Sequence, residues 1–73
     1  HGKVDMSVDF GGHIYLFEFK VVEQLPEGKA LAQIKHKGYA DKHLASGKPI
    51  HLIGVEFSSV QRQIVGFEVE TLA

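Results

Sequence analysis

Apolar and polar residues alternate at the start of the chain, where Val4, Met6, Val8 and Phe10 are separated by Asp5, Ser7 and Asp9. A period of two belongs to a half-buried strand and predicts one over residues 3–10. Residues 14–22 are almost wholly apolar and rich in aromatic and β-branched side chains, which predicts a second strand. Between them Gly11-Gly12 suits a tight turn with positive φ, so the two runs read as one hairpin. With those glycines as the loop, Phe10 faces His13. The ladder then runs Asp9 with Ile14, Val8 with Tyr15, Ser7 with Leu16, Met6 with Phe17 and Asp5 with Glu18. A three-residue loop would instead set Asp5 against Phe19.

Past a loop through Pro26 and Gly28 the period turns helical, predicting a helix over about 28–46 that Gly47 and Pro49 bring to a stop. Ala30, Leu31, Ile34, Gly38, Leu44 and Ala45 share one face of it. Gly38 would permit close approach to a sheet, and Gln33 and Lys37 flank the face. Residues 50–57 and 63–72 read as two further strands. The predicted order is ββαββ, an α/β fold with a mixed sheet of about four strands and one principal helix. Tyr15, Phe17 and Phe19 point away from Glu18, on the side of Val4, Met6 and Val8, and read as core rather than as a base-stacking platform.

The hairpin register brings two carboxylates face to face. Directly opposed like charges are destabilising by a few tenths to about 1 kcal/mol, so something must offset Asp5 against Glu18. Lys20 lies two residues past Glu18, on the same face and roughly 6.6 Å further along the strand. A salt-bridge cluster satisfies this pattern. So does a hard divalent cation, which takes one or two carboxylates together with waters and substrate phosphate. Spacing alone leaves both open.

Taken together, Gly2-Lys3-Val4-Asp5, Phe17-Glu18-Phe19-Lys20, Ala32-Gln33-Ile34 opening a helix that continues to Tyr39, and the strand Ile50–Val55 resemble the PD-(D/E)XK nuclease superfamily. The closest resemblance is to the small nuclease-like domain at the C-terminus of predicted AAA-type ATPases. It implies a minimal restriction-endonuclease-like core without the superfamily's first helix and strand. It also implies Asp5 and Glu18 as ligands of Mg²⁺ or Mn²⁺, assisted by the Phe19 carbonyl. Lys20 would orient or activate the attacking water and steady charge on the phosphate, and Gln33 would support the site from the helix. The implied activity is metal-dependent hydrolysis of phosphodiester bonds in nucleic acid, DNA before RNA. A different class of reading is a catalytically inert binding or assembly module acting with an ATPase partner.

Composition narrows the setting. With 44% apolar residues and 2 prolines among 73 residues, the chain reads as one soluble globular domain over residues 1–73. It begins with His rather than Met, which is compatible with a piece of a longer protein. A domain this size buries only about 60% of its unfolded surface and is marginal unaided. The absence of cysteine removes disulfides and thiolate zinc sites and fits the cytoplasm. No apolar run reaches the roughly 20 residues of a membrane span.

A net charge of −1 is unlike that of most nucleic-acid binders. However, Lys29, Lys35, Lys37, Lys42 and Lys48 cluster in residues 28–48 against Asp41 alone. Lys35, Lys37 and Lys42 are the candidate phosphate contacts, with a solvated helix face as the plain alternative. His36 and His43, seven apart, read as surface histidines. Ser58-Ser59 reads as a turn rather than a hydrolase nucleophile. One helix can cover one side of a sheet, and Ile14, Leu16, Ile50, Leu52, Ile64 and Leu72 keep the other from being wholly polar. The chain is therefore expected to be a homo-oligomer, most simply a two-fold dimer.

Overall fold

The computed structural model describes residues 5–38 and 40–72, with Lys37 described by its backbone only. The element order is β1 (Met6–Phe10), β2 (His13–Val22), α1 (Lys29–Lys37), a 3₁₀ helix (Asp41–Ser46), β3 (Ile50–Ser58) and β4 (Gln63–Leu72). The start of the first predicted strand, Lys3 and Val4, lies outside the described residues, as does Tyr39. Gly11 and Gly12 both take positive φ, 62° and 81°. The turn is thus tight enough to fix the expected register from Phe10 opposite His13 to Met6 opposite Phe17.

The sheet order is β1-β2-β3-β4. The outer pairs are antiparallel, and the central pair, β2 with β3, is parallel. Parallel neighbours need a crossover, which α1 and the 3₁₀ helix supply. This is the mixed ββαββ α/β arrangement that the pattern predicts.

The helix differs from the expected 28–46. Gly38 adopts φ 64°, and its N–H turns back to the Lys35 carbonyl. A left-handed glycine at this position ends an α-helix, and the chain resumes only as a 3₁₀ segment. Leu44 is consequently 55% exposed, and Ala45 is exposed as well, so neither joins the buried face. Close approach to the sheet falls to Gly54 instead, where a Cβ would stand 2.9 Å from the Leu31 Cα.

The covered side is also the reverse of the expected one. Helix α1 packs on the even-numbered face of β2, where Ile14, Leu16, Ile34, Ala40, Ile50 and Leu52 form the core. Tyr15 and Phe17 are only half-buried and Phe19 is 47% exposed, so in this chain they are surface rather than core. Alternation separates the two faces of a strand but does not say which of them a helix will cover.

Candidate active site

Three of the residues singled out from the sequence, Glu18, Lys20 and Gln33, meet on the helix side of the sheet, and Asp5 is bonded to the main chain next to Glu18. Glu18 points inward from β2 and is 3% exposed. Gln33, one helical turn into α1, donates from Nε2 to Glu18 Oε2 at 2.6 Å. Lys20, two residues along β2, holds Nζ 3.8 Å from the same oxygen, its side chain still 35% exposed. Burying a carboxylate is costly unless it is hydrogen-bonded and charge-compensated. Gln33 and Lys20 supply both kinds of compensation.

Asp5 stands just before β1, where strand pairing gives out. Its N–H donates to the Phe17 carbonyl at 3.1 Å. Its Oδ2 accepts the Phe19 N–H at 2.8 Å. The carboxylate thus stands in for the ladder partner that β1 no longer provides, one residue from Glu18. Within a strand the N–H and C=O of a residue leave on the same side, so the Phe19 carbonyl also faces the Asp5 edge. Two carboxylates and a carbonyl are a hard-oxygen donor set of the kind Mg²⁺ accepts while keeping several waters. Among the described residues, no group of three or more His, Cys, Asp or Glu forms a ready-made cage.

Beside Glu18 runs an open groove of about 410 Å³, lined by Lys20, Lys29, Ala32, Gln33 and His36. Lys29 and His36 were not among the expected phosphate contacts. Their signal is the spacing i, i+4, i+7 from Lys29 through Gln33 to His36, one stripe on a helix. Lys29 is hydrogen-bonded through Nζ to Glu27 at 2.8 Å, and that carboxylate raises its ammonium pKa above the ordinary lysine value. The other basic residues named from the sequence are elsewhere. Lys35 pairs with Glu70 at 2.8 Å, Lys42 is exposed on the 3₁₀ helix, and the Lys37 side chain lies outside the description. Lys48 is held by Asp9 at 2.9 Å.

A second buried acid escaped the sequence reading. Glu56, on β3 directly beside Lys20, is 3% exposed. It accepts the N–H of Glu27 at 2.6 Å and of Lys29 at 2.7 Å. Burial opposes its charged form, but the N–H groups of Glu27, Lys29, Gly28 and Ala30 outweigh burial and hold the carboxyl below its ordinary range. Ser58 is likewise structural, donating from Oγ to the Glu23 carbonyl at 2.6 Å and accepting the Gln61 N–H at 2.9 Å.

A family model for the PD-(D/E)XK nuclease superfamily matches residues 1–67. A protein of Azotobacter chroococcum mcd 1 named "Uncharacterized protein in vnfD 5'region" is 65% identical over 72 residues, 99% of this chain. The chain spans 14% of that relative's length. No solved structure matches it.

Proposed function

The chain belongs to the PD-(D/E)XK nuclease superfamily, and from that premise we propose that it hydrolyses phosphodiester bonds in nucleic acid, DNA before RNA, using Mg²⁺ or Mn²⁺. The observation that carries this reading is the buried Glu18 carboxylate fixed by Gln33 at 2.6 Å, with the partly exposed Lys20 ammonium beside it. One oxygen is thereby oriented by a neutral donor, and a cation stands at the rim where water and phosphate arrive. Asp5, Glu18 and the Phe19 carbonyl would hold the metal. When bound, it would polarise the phosphate and lower the pKa of a water.

Each protein group then has a defined task. Gln33 keeps the Glu18 carboxylate in one orientation, which a loosely held acid could not maintain. Lys20 places its Nζ near the reacting water or the phosphate oxygens and offsets charge gathering there. The groove beside Gln33, with Lys29 on its wall, offers the adjoining backbone phosphates a cation.

A second reading rests on the same hydrogen bonds. Glu18 with Gln33 and Lys20 is also a self-sufficient polar cluster, which would suit an inert module that binds or assembles, with an ATPase as one candidate partner.

One set of measurements separates the two readings. The purified chain is incubated with plasmid and with single-stranded DNA in Mg²⁺, Mn²⁺ or EDTA, and its melting temperature is recorded in each. Cation at tenfold over Kd should stabilise the wild type by roughly 1.4 kcal/mol, about 6 to 11 °C for a domain of this size. Glu18→Ala should lose both that rise and cleavage. Lys20→Met, which keeps the apolar stem, should retain the rise and lose cleavage by about 100-fold or more. No cleavage of either DNA, together with no metal-dependent rise, would favour the inert module.

A further inference from the structure

Strand β3 carries two polar side chains out of solvent beside the crossover to α1: Glu56 is 3% exposed and Ser58 is 0% exposed. Room for Glu56 is built into β4. The pairing sets Glu56 opposite Gly66 and Phe57 opposite Ile64, which leaves Val65 as an extra residue in the ladder. A bulge of this kind bends a strand and re-aims its side chains, and bulges are over-represented next to active sites. A Cβ on Gly66 would stand 3.1 Å from Glu56 Oε1 and 3.2 Å from the Pro26 Cβ. β4 thus gives up a side chain where Glu56 meets the crossover.

Glu56 grips both sides of the start of α1. Its Oε1 accepts the Glu27 N–H at 2.6 Å and its Oε2 the Lys29 N–H at 2.7 Å. Between them Gly28 occupies the N-cap position with φ 71° and makes no side-chain cap. The first N–H groups of a helix are ordinarily met by a local side chain, whereas α1 takes its acceptor from a strand of the sheet. The other end of the crossover is held by the same strand, through Ser58 Oγ to the Glu23 carbonyl at 2.6 Å and the Ser59 N–H to the Val22 carbonyl at 2.9 Å. Every group in this clasp belongs to the chain itself.

Gln33 follows Lys29 by four residues, one turn and about 6 Å along the axis. Apolar packing of Leu31 on Gly54 and of Ile34 in the core sets how closely α1 lies on the sheet. Such packing is non-directional and leaves the helix some freedom to slide or roll. Two directional hydrogen bonds from one buried carboxylate remove that freedom at the turn before Gln33.

We propose that Glu56 is a positioning residue for the candidate site, setting the height and rotation at which Gln33 meets Glu18. The geometric part stands on the chain's own contacts, and its effect on cleavage rests on the nuclease reading above.

The Gln33 side-chain amide tests the proposal with neither metal nor DNA present. In nitrogen–proton correlation spectra the amide proton donated to the Glu18 carboxylate should lie downfield of those of the exposed Gln24, and Glu18→Ala identifies it by its loss. Glu56→Gln should return that resonance to the solvent-exposed position in a chain that still melts cooperatively. Ile53→Ala, a destabilising change on the sheet face away from α1, should leave it in place. Should Glu56→Gln fail to fold, Glu56→Asp takes its place with the same expectation, since it keeps the charge but withdraws the carboxylate by one methylene. In cleavage assays Glu56→Gln should lower kcat by about tenfold or more. A Gln33 resonance unmoved in the folded Glu56 variant would overturn the proposal. So would its loss in Ile53→Ala, which would show that it follows stability alone. A wild type that cleaves no DNA yet shows the expected amide shifts would support the positioning role and remove the nuclease reading.

Discussion

Glu18 and Glu56 are equally buried on adjacent strands, yet they are held by different kinds of group. Side chains hold Glu18, through Gln33 and Lys20; main-chain N–H groups of a loop and the first turn of α1 hold Glu56. Side-chain partners leave a carboxylate free to exchange one contact for another, whereas Glu56 pins the segment that delivers Gln33 to the site. Glu56→Gln replaces one acceptor oxygen with a donor facing main-chain N–H groups and should cost about 2 to 3 kcal/mol. The pH dependence has a definite sign. Because the folded state holds the Glu56 carboxyl low, its contribution is complete above the ordinary carboxylate range and is lost as pH falls through the folded value. The melting-temperature gap between wild type and Glu56→Gln should therefore be widest near neutrality and narrow toward pH 3. A constant gap across that range would show that Glu56 does not act through its charge. Glu18 was legible from the hairpin because its companions, Asp5 and Lys20, sit at fixed offsets along the strand. Glu56 was not, because its partners are main-chain N–H groups, which leave no residue-type pattern. Its only trace is that it shares strand parity with Leu52 and Gly54.

Two glycines that look alike in the sequence do opposite things to the elements. Gly38 stops α1 with a left-handed turn, while Gly54 lets α1 lie directly on β3. The run Lys35 to Ala45 holds one glycine, Gly38, and a glycine there can serve either as a helix stop or as a point of close packing. For that reason one long helix was the natural reading, and the true boundary was not visible. The hairpin strands were legible, including their register from Phe10 opposite His13 to Met6 opposite Phe17, since alternation and a two-glycine turn determine both together. Gly54→Ala tests the packing element directly. Its Cβ would press on the Leu31 main chain, 2.9 Å from Cα, where no side-chain rotation can relieve it. A loss of about 2 to 3 kcal/mol is expected, roughly 10 to 20 °C in melting temperature. Gln33 is displaced from Glu18 along with the helix. A melting temperature within 2 °C or so of wild type would mean that the helix rides higher on the sheet than described.

At the scale of the whole molecule, the chain is a thin plate, 40 × 24 × 16 Å, with chemistry gathered on one surface and apolar side chains on the other. The relative from Azotobacter chroococcum mcd 1 carries the matching stretch within a polypeptide of which it is 14%, so a similar sequence recurs inside a much larger protein. The parallel pairing at its centre has a consequence in time. Hairpin β1–β2 can close locally, in about 1 to 10 µs, and brings Asp5 to Phe19 as it does so. Strand β3 can join β2, with Ile14 beside Ile50 and Val22 beside Ser58, only after the whole α1 crossover has been gathered, and such distant pairings are slow. Gln33 therefore reaches Glu18 late. Ile34, 1% exposed and packed in the core, reports on that step. Ile34→Val should lose about 1 kcal/mol, felt chiefly as slower refolding in stopped-flow measurements rather than as faster unfolding; the reverse partition would place docking of the crossover after the barrier. A chain emerging during synthesis would pass through an interval with Asp5 in place and Glu18 not yet oriented, and would complete the candidate site only when Gln33 docks.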